Sequence, residues 1–215
     1  MKKYNKLSVI FSVLAIMLPV FIGLILWNKL PDEIPIHWNV AGEVDGYTGK
    51  PFFVFGFPLL ILALHLICIF ADKKVGVKNT GTSRSPKVEK LVLWICPAVL
   101  WFCCGLTYCT VLGKEYSINM VMSVFMGLLF CVIGNYMPKC PQSRTVGIKV
   151  KWALEDEENW NKTHRLAGVV WFISGLLIVV SGFLPQAVSV TVMFLIMTVA
   201  VIIPVVYSYL LSRKK

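Results

Sequence analysis

Six stretches of this sequence contain no aspartate, glutamate, lysine or arginine: Leu7–Trp27, Phe52–Ala71, Leu91–Leu112, Ser117–Met137, Leu166–Leu184 and Ala187–Leu210. Each is close to the ~20 apolar residues that a helix needs to cross a bilayer. Only 15% of residues are charged, against about a quarter in a soluble domain. A soluble globular fold is therefore excluded. The absence of charge within the windows also argues against ordinary proton or ion coupling, which places ionisable groups at depth. No HExxH, nucleophile elbow or Walker loop occurs, so nothing points to an enzyme or a cofactor. The fragment Glu43-Val-Asp45-Gly46 is too short for a calcium loop, and no metal site is expected. The seven cysteines include no CxxC pair, and six lie within the windows. They suit small apolar filler better than a disulfide framework or zinc site.

What charge there is lies in tails and connections. Taken alternately along the chain, the compartments hold 18 and 3 basic residues. The positive-inside rule then places both termini and the second and fourth connections in the cytoplasm. The net charge of +10 is thus mainly topological, with some attraction to anionic headgroups, and implies no direct nucleic acid binding. The first window follows three lysines, but it is too long for a signal h-region and no small-x-small site follows. The expected fold class is an all-α integral membrane protein with six transmembrane helices. Its domains would be a two-helix front part (1–72), a basic linker (73–90) and a four-helix module (91–215).

The first connection, outside, is punctuated by Pro31, Pro35, Gly42, Gly46, Gly49 and Pro51, and its net charge is −2. Ile34, Ile36 and Trp38 alternate with Pro35 and His37, which predicts a short extended piece followed by tight turns. His65, in the second window, is the one histidine at depth; a neutral ring bonded to a neighbouring helix is preferred to a functional role. In the fifth window Ala167/Gly168, Ser174/Gly175 and Ser181/Gly182 recur every seven residues. Gly168, Gly175 and Gly182 thus share a face for close helix packing, with the sixth span the expected partner. A pathway lined by the same groove is the rival reading.

The stretch from Arg144 to Trp171 combines dense charge, three tryptophans and His164 before an apolar run. Its acids Glu155 to Glu158 precede Lys162 and Arg165, the order that suits a helix dipole, and Glu158–Lys162 is an i,i+4 pair. Trp160 and His164 share a face. The pattern predicts one continuous helix from about Leu154 that leaves the cytoplasmic surface and enters the bilayer at Leu166. Interfacial anchoring and docking of a partner both fit it.

GNYMPK at 134–139, GIKVKWALEDEENW at 147–160 and NKTHRLAG at 161–168 resemble the signature of the SdpI-like family. IPIHWNVAGEVDGYTGK at 34–50 resembles the small domain of unknown function often fused ahead of that module. With the six spans, the resemblance covers nearly the whole chain. It implies a multi-pass bacterial cell membrane protein giving immunity to a peptide toxin of the sporulation-delaying type. It also implies signalling, in which the toxin-bound protein holds a winged-helix repressor at the membrane. Residues matching the family pattern are Asn135, Pro138, Gly147, Trp152, Trp160, His164, Arg165 and Gly168, with Pro35, His37, Trp38, Gly42, Asp45 and Gly46 in front. The chain departs from that pattern at Ala153, where relatives often carry a threonine suited to a capping box with Asp156; Asp156 is left to start the helix later.

Two surfaces follow. The acidic outer loop, with Trp38 and Tyr47, would meet a cationic peptide. The cytoplasmic stretch, with Glu157 and Glu158 beside the family residues, would meet a repressor. A small-solute or peptide transporter is the alternative, carried by His65 and the prolines.

Overall fold

A computed structural model of the chain describes residues 4–75, 86–144 and 146–213. Among the described residues, six helices are long and apolar enough to cross a membrane. They are α1 (Lys6–Ile25), α2 (Phe57–Val75), α3 (Pro86–Val111), α4 (Ile118–Tyr136), α6 (Glu157–Ser181) and α7 (Gln186–Arg213), with a short α5 (Lys151–Glu155) before α6. The chain is a helical, multi-pass membrane protein, and each charge-free window falls on one long helix. Polar caps set several starts: the Asn5 side chain accepts from Leu7 N, Ser117 from Met120 N, and Asp156 from Glu158 N.

The first connection folds into an antiparallel hairpin of β1 (Glu33–Trp38) and β2 (Val44–Gly49). Gly42, at φ 79, supplies the left-handed turn residue that lets the chain reverse. A π-helical turn at Phe52–Gly56 then leads into α2.

The chain divides into two compact units, Met1–Phe70 with Glu89–Tyr116 and Ala71–Val88 with Ser117–Lys215. This differs from the expected division at 72 and 91, because the third span packs with the front pair. Leu100, Cys104 and Tyr108 of α3 share a buried cluster with Ile16 and Val20 of α1, Ile34 of β1, and Phe53 and Val54. Tyr108 also donates to the Pro19 carbonyl at 3.1 Å. The ends of the expected linker, at 73–75 and 86–90, are helical. Its middle, 76–85, lies outside the described residues.

In the second unit α6 meets α4 backbone to backbone. A Cβ on Gly175 would fall 2.5 Å from the Gly127 carbonyl, and one on Gly134 would fall 2.9 Å from the Gly168 carbonyl. Gly182 lies against the Ser123 side chain, where an added Cβ would fall 2.8 Å from the Ser123 Cβ. The partner of the glycine face is therefore the fourth span, not the sixth. Gly127 and Gly134 repeat the seven-residue interval antiparallel to Gly168 and Gly175, so two glycine faces meet. The sixth span contacts α6 through larger groups, with Trp171 Nε1 donating to the Ala200 carbonyl at 3.0 Å.

His65 is fully buried, and its Nε2 lies 2.9 Å from Ser12 Oγ on α1. Ser12 donates to the Val9 carbonyl at 2.8 Å, so the imidazole donates to Ser12, which is the expected bond to a neighbouring helix.

Candidate functional sites

The hairpin is the first candidate. Ile34 is fully buried and anchors β1 to the front unit, while Pro35 is buried and its carbonyl accepts from Thr107 Oγ1 at 3.3 Å. His37 and Tyr47 are exposed, and Trp38 is half-buried. His37 Nδ1 lies 2.5 Å from Asp45 Oδ1 across the strands. Gly46 sits opposite His37 in the register, and a Cβ there would fall 2.8 Å from the His37 Cβ. Glycine at 46 thus lets the His37–Asp45 pair close over the strand. Lys50 is held between Asp32, at 3.1 Å, and the face of Trp27. The family residues Pro35, His37, Trp38, Gly42, Asp45 and Gly46 therefore build one hairpin, and Tyr47 projects from it. Asp45 and Gly46 serve its geometry as much as its surface.

The second candidate lies around the start of α6, where the expected single helix is broken. Asp156 is extended, at φ −135 and ψ 113, and its side chain caps α6. Before the break, α5 buries Ala153 completely, so Ala153 is a packing position there and not a cap. Gln142 donates to the carbonyls of Ala153 and Leu154, which end α5.

Trp160 and His164 form the centre. Both are buried, with rings stacked 4.0 Å apart. Trp160 Nε1 donates to the Cys140 carbonyl at 2.9 Å. The Ile148 N–H donates to His164 Nε2 at 3.0 Å, so that nitrogen must carry a lone pair. The Nδ1–H then donates to the Trp160 carbonyl at 2.9 Å. Gly147 has φ +114, and a Cβ on it would fall 2.6 Å from His164 Nε2. Only glycine lets the 146–150 loop lie on the imidazole. Pro138 packs on Gly168. Close by on α6, Asn159 donates to the Ser208 carbonyl and accepts from Thr163 and Ser208 hydroxyls.

This corrects the expected partner surface. Trp160 and His164 are interior, and Gly147 is packed against them. Asn135, Pro138, Glu157, Glu158 and Arg165 are exposed, and Trp152 is half-buried with its ring edge-on to Tyr209. Glu158 pairs with Lys162 at 2.7 Å. Trp160 and His164 thus form a knot that fixes the loop to the helix. The paired glycines of α4 went unrecognised in the sequence, although their interval matches that of α6. Among the described residues no three His, Cys, Asp or Glu side chains are grouped to hold a metal ion.

Comparison with known proteins places these features. Residues 139–208 match the SdpI/YfhL protein family, and residues 14–62 match a domain of unknown function, DUF1648. The first match spans the knot and most of α7; the second spans the later part of α1, the hairpin and the start of α2. The chain is 26% identical over 205 residues to Immunity protein SdpI of Bacillus subtilis (strain 168), covering 95% of this chain and 96% of that protein. No solved structure matches the chain.

Proposed function

From the premise that this multi-pass bacterial membrane protein carries an SdpI/YfhL-family module behind a DUF1648 domain, we propose that it gives its cell resistance to a toxic antimicrobial peptide. The observation that carries the reading is the end-to-end similarity to an immunity protein, which includes both the hairpin and the knot. In this reading both termini are cytoplasmic and the hairpin is outside. It meets the peptide with Trp38, Tyr47 and its excess of carboxylates. Glu157, Glu158 and Arg165, at the start of α6, form the exposed cytoplasmic face offered to a winged-helix repressor.

The division of labour is testable in cells. A sensitive bacterium expressing the chain is challenged with a sporulation-delaying-type toxin peptide, and survival is compared with an empty vector. Resistance by the wild type and its loss in Trp38→Ala, at matched membrane abundance, are expected. Substituting Glu157 and Glu158 by glutamine should leave resistance intact while changing repressor recruitment. No protection at equal abundance would overturn the reading.

A further inference from the structure

The hairpin has two edges, and the fold treats them differently. The Lys50 N–H donates to the Asp32 carbonyl at 2.9 Å, which sets the alternation of the ladder. With Ile34 opposite Thr48 and Pro35 opposite Tyr47, the inward hydrogen-bonding pairs are Asp32/Lys50 and Ile34/Thr48. Glu33, Pro35, Tyr47 and Gly49 then turn their backbone groups outward. On β1 that outer edge is closed. Pro35 has no N–H, its carbonyl is taken by the buried Thr107, and a register shift follows at Ile36. Proline and a bulge are the usual guards of a strand edge.

On β2 the outer edge is open. Tyr47 and Gly49 are exposed; the Gly49 carbonyl is the acceptor that opens the helical turn beginning at Lys50, which leaves the Tyr47 N–H and carbonyl and the Gly49 N–H facing outward. The bulge at Asp45 precedes this segment and does not interrupt it. The charge around the edge has one sign. Asp32 is neutralised by Lys50 and Asp45 lies on His37, whereas Glu33 and Glu43 have no cationic partner among the described residues. A strand with two free donors, at Tyr47 and Gly49, and a free acceptor at Tyr47, flanked by two such carboxylates, has the chemistry to recognise an extended, basic chain.

We propose that β2 is a docking edge on which an extended cationic peptide adds as a third strand, its backbone pairing with Tyr47 and Gly49 and its basic side chains lying beside Glu33 and Glu43. The proposal rests on the peptide-immunity reading and specifies how the peptide is held. Side-chain chemistry would set the charge preference, and main-chain pairing would supply the affinity.

The test uses the full chain in lipid nanodiscs and a synthetic octapeptide of alternating lysine and valine. Its twin carries N-methyl groups on the alternate amides that would face Tyr47 and Gly49. The one peptide donor lost, to the Tyr47 carbonyl, at about 1 kcal/mol predicts roughly 5-fold weaker binding of the twin. Tyr47→Pro removes an outward N–H without touching the ladder, and should weaken the unmethylated peptide; Tyr47→Val keeps that N–H and should bind as the wild type does. Equal binding of the two peptides to the wild type overturns strand addition, whatever Tyr47→Pro does to folding. If the wild type protects cells and Tyr47→Pro, at equal abundance, protects them equally, strand addition fails while immunity stands. If the wild type gives no protection, the reading beneath both fails.

Discussion

The indole N–H of Trp171 donates to the Ala200 carbonyl at 3.0 Å, and that carbonyl is the one Pro204 leaves without its helical donor. The first unit repeats the device. Trp101 Nε1 donates at 2.9 Å to the Ala15 carbonyl, four residues before Pro19. Proline inside a membrane helix exposes one carbonyl to hydrocarbon, and each tryptophan supplies the missing donor from a neighbouring helix. These prolines bind helices together because they break a bond within one.

Trp171→Phe should destabilise the protein by about 1 kcal/mol, within the range of membrane hydrogen bonds. Ring packing on Phe130, at 4.8 Å between centroids, would largely survive. In a Pro204→Ala background the helix satisfies Ala200 itself, so the same substitution should cost much less. Equilibrium unfolding in mixed micelles of the wild type, the two single variants and the double variant reads the coupling directly. Additive effects would mean that the indole contributes only apolar surface.

The α4–α6 seam should be intolerant of a single methyl. At Gly175 an added Cβ would meet the Gly127 carbonyl and the Cys131 backbone N, which cannot turn away, as well as the Cys131 Sγ, so Gly175→Ala is expected to cost about 1–3 kcal/mol by overpacking. Gly105→Ala is the control, because no heavy atom lies within 4 Å of its Cβ. There the helix should gain up to about 1 kcal/mol from propensity alone. Thermal midpoints in detergent separate the two.

Asp156 ends one helix and starts the next. Asp156→Ala should cost about 1 kcal/mol through loss of the cap, whereas Asp156→Asn should cost only a few tenths. Thermal unfolding followed by tryptophan fluorescence checks both. An equal loss in the two would assign the effect to charge.

The spans were legible because bilayer crossing is a one-dimensional property: length, apolarity and absence of charge suffice. The glycine face of α6 was legible for the same reason, as an interval. Its partner was not, because chain proximity favours α7 while only the matching interval of Gly127 and Gly134 points to α4. The hairpin was half legible. Alternation around Pro35 announced a strand, but β2 reads Val-Asp-Gly-Tyr-Thr-Gly and carries too little apolar pattern to declare itself. Aromatic, charged and histidine residues near a membrane surface look like a docking patch in sequence. Whether Trp160 and His164 face inward depends on Gly147 bringing a distant loop onto the ring, and nothing local encodes that.

The knot makes the last prediction. Ile148 N–H points at His164 Nε2, and the Trp160 carbonyl lies at Nδ1. A donor facing one nitrogen and an acceptor facing the other require the neutral Nδ1–H tautomer. Nitrogen chemical shifts of His164 in the labelled protein should therefore show a protonated Nδ1 and a bare Nε2. Removing the acceptor with His164→Phe keeps the stacking on Trp160 but leaves the Ile148 amide without a partner, at about 1–3 kcal/mol. Gly147→Ala should act on the same contact from the other side, through its Cβ and its positive φ. Both variants should raise the hydrogen-exchange rate of the Ile148 amide, and the double variant should be no worse than the more damaging single one. If Ile148 stays protected in His164→Phe, the ring does not hold the loop.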